Sequence, residues 1–164
     1  MIHAYVMPSL FGKSSLSMDN DLFHDVDEIL NHPDYKDELK ALRRDAVKTG
    51  DWTLNNSRYA ELVEKEYKHA NNIVILLHSS PVGLGLDDFI SGDTLYTPDL
   101  EDDEYEKRLK SRLATVISSD RGQSEQLYRM NRAGHAKHLK SLDEDMIYDV
   151  EDAINYFESL VDEE

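Results

Sequence analysis

Cysteine is missing from the 164 residues, tryptophan occurs once, proline four times and glycine seven times. Without cysteine there is no disulfide, no thiolate zinc site and no cysteine nucleophile, which fits a reducing, cytoplasmic setting. The chain also lacks any apolar run of membrane-spanning length and any basic segment leading into an apolar stretch. The expectation is therefore no membrane association and no secretory signal. Basic residues are scarce: 18 lysines and arginines face 34 acids, for a net charge of −16. Such a chain repels phosphate backbones, which argues against a long nucleic acid as partner. The charge keeps the protein soluble, or it suits the basic groove of a protein partner.

What is present is an alternation of strand and helix patterns in a length suited to one domain, residues 1–164. Ile2 to Val6 is a short apolar run of strand type that stops at Pro8. A loop follows, then a short helix over Ser14 to Met18 and a second strand over Leu22 to Val26. Tyr35, Leu39, Leu42 and Ala46 recur at helical spacing, with Pro33 ahead of them and Gly50 after. Asn56 to His69 is a second long helix. Ile73 to Leu77 is continuously apolar and reads as a central strand buried on both faces. Thr94 to Thr97 is a fourth strand, beyond a Gly-rich loop with a short turn. Helices are expected from Tyr105 to Ile117 and from Ser124 to Leu139. Met146 to Tyr148 is a fifth strand, and Val150 to Val161 an amphipathic closing helix. There is no internal repeat and no low-complexity linker.

The segment that carries chemistry is Met7-Pro8-Ser9-Leu10-Phe11-Gly12-Lys13-Ser14-Ser15. A phosphate-binding P-loop reads Gly, four residues, Gly-Lys, then Ser or Thr, between a strand and a helix. Gly12, Lys13 and Ser14 match; Met7 stands where the first glycine would be. Backbone amides from Ser9 to Ser15 would curl around a phosphate ahead of the helix. Lys13 supplies a point charge to the β and γ phosphates, and the Ser14 hydroxyl is a ligand for Mg²⁺. A second element, Phe23-His24-Asp25-Val26-Asp27-Glu28-Ile29, places carboxylates at the end of the second strand. There they could hold the metal or take a proton, or simply start the next helix.

Together these two segments resemble the shikimate-kinase and small-molecule or nucleotide kinase branch of P-loop proteins. The resemblance covers residues 2–29. It implies a three-layer P-loop NTPase-like fold with a parallel five-stranded sheet, bound ATP and Mg²⁺, and a basic lid. Lys13 and Ser14 then match the P-loop lysine and the metal-ligating hydroxyl. Asp25 matches the carboxylate near the metal, and Asp27 the one facing the phosphoryl acceptor. The sequence departs from the family in three places: the first glycine is replaced, the first helix is short, and the Ile73–Leu77 strand runs into His78-Ser79-Ser80 instead of an acid.

Arg108 and Arg112, four apart on one helix face, are candidates for phosphate-clamping arginines, with Arg121, Arg129 and Arg132 behind them. The competing reading pairs Arg108 with Glu104 on the surface. His135 and His138 are spaced for one face of a helix but lack a third metal ligand nearby. Trp52 is by default a core residue. The expected function is an ATP-dependent phosphotransferase acting on a nucleotide, a nucleic-acid end or a small hydroxyl metabolite. The alternative is an acidic binding protein with a degenerate P-loop, such as a virus-encoded inhibitor or assembly factor.

Overall fold

The two most apolar runs of the chain lie side by side at the centre of a sheet, as their lack of alternation requires. The computed structural model describes residues 1–8, 11–98, 102–113, 128–134, 136 and 147–163. β1 (Ile2–Val6) and β3 (Ile73–Leu77) pair in parallel from Ile2 opposite Ile73 to Val6 opposite Leu77. β2 (Phe23–Asp25) flanks β3, and β4 (Thr94–Tyr96) flanks β1. The order is β2-β3-β1-β4 with every pairing parallel. A single parallel bridge from Ile147 to Tyr96 lies beyond β4, where the fifth strand was expected; Met146 lies outside the described residues.

Side chains alternate across this sheet and build two cores. One face carries Ile2, Ala4, Ile75 and Leu77, which pack with Val26, Ile29, Leu39, Tyr59, Leu62 and Val63. Those partners come from a 3-10 helix (Val26–Asn31), from α2 (Lys36–Thr49) and from α3 (Thr53–Tyr67). A single turn, α4 (Pro81–Leu84), caps the same face. The other face carries Tyr5, Phe23, Val74, Leu76 and Leu95. It is covered by α1 (Lys13–Asp19), α5 (Asp102–Leu113) and α6 (Val150–Asp162), through Leu16, Tyr105, Leu109, Ala153 and Phe157. The architecture is α/β, a four-stranded all-parallel sheet with helices on both faces.

Local signals set the element ends. Gly12 precedes α1 with φ +102° and Gly50 ends α2 with φ +75°, a half of backbone space that side chains disfavour. Asp149 caps α6 by accepting from the Asp152 amide at 2.8 Å. The second strand is shorter than the Leu22–Val26 run predicts. The Asp25 carboxylate accepts from the Asp27 amide at 3.0 Å, and this turns the chain into the 3-10 helix at Val26. Trp52 is half-buried at the start of α3 and belongs to neither core, contrary to the default for a lone tryptophan. Of the helix expected from Ser124 to Leu139, residues 128–134 and 136 are helical and the others lie outside the described residues.

Candidate functional site

In a parallel sheet the strands all point one way, so the loops that follow them gather at one edge, where open α/β sheets bind ligands. Here that edge receives the loop after β1, the carboxylates after β2 and the His78-Ser79-Ser80 segment after β3. Met7 continues β1: its amide donates to the Leu77 carbonyl at 2.7 Å and its side chain is fully buried. The position of the missing glycine is thus tied to the sheet. Further on, Gly12 takes up a left-handed conformation ahead of α1.

Lys13, the first residue of α1, is turned inward. Its side chain is 8 % exposed, and Nζ lies 3.4 Å from Asp27 Oδ2. The Ser14 hydroxyl is 3.5 Å from Asp25 Oδ2, and the Ser17 hydroxyl accepts from the Asp25 amide at 3.4 Å. Lys13, Ser14, Asp25 and Asp27 therefore come together, as the two sequence segments lead one to expect.

Two further residues complete the cluster. Tyr59 of α3 donates its hydroxyl to Asp27 Oδ1 at 2.7 Å. His78, the residue after β3, places Nδ1 3.5 Å from the same oxygen, and its ring meets that of Tyr59 edge-on. The Nδ1 atom is buried and has no hydrogen-bond partner of good geometry among the described residues. Neither residue stood out in the sequence. Tyr59 is one position of an apolar helical stripe, and His78 looks like polar punctuation after a strand. The available signal for His78 was its place, first beyond the carboxyl end of a central strand.

The two carboxyls are driven in opposite directions. Burial, then the charge of Asp27, raise the Asp25 carboxyl above its ordinary range; the Asp27 amide and Lys13 offset part of this. Burial would raise Asp27 as well, but the His78 ring, Lys13 and the Tyr59 hydroxyl outweigh it. Asp27 is held well below the usual carboxylate range. Burial and the adjacent Asp27 charge push the Tyr59 phenol far above its ordinary value, so it remains a donor.

Other predicted site residues fall elsewhere. Phe11 is buried, with its ring 6.5 Å from Tyr105, so it anchors the loop to the core. Gly12 and Ser15 are exposed; Ser9 and Leu10 lie outside the described residues. Arg108 Nε binds Glu104 Oε1 at 2.9 Å, the local surface pair. Arg112 is exposed in the last turn of α5. Arg132 stacks over the Tyr105 ring at 5.2 Å, with Nη1 3.3 Å from Glu106 Oε1, and Arg129 is exposed. Of these, Arg132 contacts Tyr105, the ring against loop residue Phe11. Arg121, His135 and His138 lie outside the described residues. A cleft of about 330 Å³ opens between α1 and α6, lined by Phe11, Gly12, Ser15, Leu16, Val150 and Ile154.

Among the described residues no group of three or more histidines and carboxylates could cage a metal. Mg²⁺ bound along with phosphates needs fewer protein ligands, one or two oxygens with waters completing the octahedron. The Ser14 hydroxyl and the Asp25 carboxylate, 3.5 Å apart, fit that requirement. Among the described residues no helix is long and apolar enough to cross a membrane.

Fold and site together define a parallel α/β layered protein with a lysine, a serine and two carboxylates gathered at the carboxyl edge of its sheet. No family model, curated protein or solved structure matches this chain.

Proposed function

We propose that this protein is an ATP-dependent phosphotransferase of P-loop type, acting on a hydroxyl of a nucleotide, a nucleic-acid end or a small metabolite. One observation carries the reading: the loop after β1 delivers Lys13 and Ser14 to Asp27 and Asp25 at one sheet edge. These are the residue types that phosphoryl transfer employs, and there catalysis is mostly positioning and charge stabilisation. Lys13 exchanges Asp27 for phosphate oxygens when the nucleotide docks. Ser14 and Asp25 hold Mg²⁺, which supplies neutralisation of phosphate charge. The acceptor hydroxyl lies on the Asp27 side, and Arg108 and Arg112 of α5, with Arg132 over the Tyr105 ring, are the candidates for closing over the phosphates.

Isothermal titration with ATP and Mg²⁺ tests the reading. Wild type gives a binding heat, and Lys13→Ala weakens binding at least tenfold, about the 1.4 kcal/mol expected of one charge-assisted contact. Equal heats for both proteins, or none, would overturn it. A radiolabel screen over nucleosides, 5′-hydroxyl oligonucleotides and polyols then identifies the acceptor. The net charge of −16 favours a second reading, an acidic binding protein whose P-loop is degenerate. Capture of a basic protein partner together with no nucleotide heat would select it.

A further inference from the structure

The family resemblance faces Asp27 toward the phosphoryl acceptor, but protein groups already engage both of its oxygens. A general base needs a lone pair within reach of the acceptor proton. Asp27 has a lysine ammonium at 3.4 Å on one oxygen, with a phenol at 2.7 Å and an imidazole at 3.5 Å on the other. Lone pairs of both oxygens are thus directed at protein groups. A carboxylate so held is an anchor.

The imidazole beside it is placed differently. His78 is the residue next after β3, and its ring is fixed by Tyr59 on one side and Asp27 on another. Its Nδ1 is buried and turned to Asp27, whereas the side chain as a whole is 38 % exposed. With Nδ1 inside and more than a third of the side chain outside, Nε2 is the nitrogen left for a reactant. Carboxylate and imidazole so arranged reproduce the division of labour of hydrolytic triads, in which the acid orients the ring and the ring moves the proton.

We propose that His78 is the general base of the transfer reaction and that Asp27 is its positioning residue. The inference rests on the phosphotransferase reading above. In the step, His78 Nε2 removes the proton from the acceptor hydroxyl while that oxygen attacks the γ-phosphorus of ATP. The new O–P bond forms, the bond from γ-phosphorus to the bridging oxygen breaks, and ADP leaves with the electron pair. The proton rests on the imidazole, and the Asp27 carboxylate balances the resulting charge. The 3.5 Å contact between Nδ1 and Asp27 shortens as reactants dock, as catalytic hydrogen bonds commonly do, and Asp27 then accepts from Nδ1–H.

Two measurements test this. The first needs no activity. Side-chain ¹⁵N NMR of the neutral ring reports which nitrogen carries the proton. The proposal requires Nδ1–H in wild type and loss of that preference in Asp27→Asn; an Nε2–H ring in wild type overturns it. The second uses His78→Asn, whose amide keeps a donor for Asp27 but has no basic nitrogen. Its kcat for whichever hydroxyl acceptor takes label from γ-labelled ATP falls about 10²- to 10⁴-fold, the usual worth of a general base. Its ATP binding heat equals that of wild type. Wild-type kcat in His78→Asn overturns the proposal and leaves the phosphotransferase reading standing. No ATP heat in wild type removes both.

Discussion

At the scale of single residues, the interactions that matter are those removed from water. Tyr59 and Arg58 are neighbours on α3, and both make short polar contacts. Tyr59 is buried and donates to a carboxylate at 2.7 Å. Arg58 pairs with Glu38 at 2.6 Å and Glu61 at 3.0 Å in open solvent. Tyr59→Phe leaves one side of Asp27 unsatisfied and costs about 1.5–3 kcal/mol, the range for hydrogen bonds to charged groups. In urea unfolding its midpoint falls clearly, whereas that of Arg58→Ala stays within error, as exposed ion pairs allow. Asp25 behaves in the opposite sense. Burial and a neighbouring negative charge disfavour its ionised form, so Asp25→Asn raises the urea midpoint at neutral pH and weakens nucleotide binding in Mg²⁺. Lys13, Ser14, Asp25 and Asp27 were legible as a group because the Gly-Lys-Ser and Asp-Val-Asp segments have a recognisable chemistry. Tyr59 and His78 were not, because their role comes from a fold contact 32 and 51 residues from Asp27, which no local pattern encodes.

At the scale of elements, α6 is the piece on which the second core depends. Phe157 is fully buried, and its ring contacts those of His3, Tyr5, Phe23 and Tyr156. Phe157→Ala costs about 3–5 kcal/mol, a large part of the roughly 5–15 kcal/mol that holds a domain folded, and thermal unfolding will show it. The same helix is tied to the start of β4 by Tyr156, whose hydroxyl donates to Asp93 Oδ2 at 2.6 Å. That bond, helped by burial and the Asp93 charge, pushes the Tyr156 phenol up to about 12. The folded state therefore holds the phenolic proton more tightly than the unfolded chain, whose phenols titrate near 10. The stabilisation is whole below about pH 10 and is lost as the pH rises toward 12. Unfolding midpoints between pH 9 and 12 will fall less steeply in Tyr156→Phe. The strands and long helices were readable because buried runs and helical spacing have few alternatives. The end of β2 was not, since a side-chain cap at Asp25 decides it. Nor was Trp52, which lies at the α2–α3 turn and outside both cores.

At the scale of the molecule, the charge of −16 sets the background against which the site works. Self-repulsion opposes compaction, and salt screens it, the Debye length shrinking from about 30 Å at 0.01 M to about 8 Å at 0.15 M. The melting temperature therefore rises with sodium chloride over that range, and a flat response would show that the acids are already well dispersed. Lys13 is a cation committed to a carboxylate inside this acidic molecule, so a polyphosphate must displace Asp27 to reach it. A crystal structure with a non-hydrolysable ATP analogue and Mg²⁺ tests that displacement directly. The account predicts Lys13 Nζ on β- and γ-phosphate oxygens, Ser14 and Asp25 around the metal, and Asp27 left with Tyr59 and His78. A structure in which Lys13 stays on Asp27 and the nucleotide binds elsewhere would contradict it.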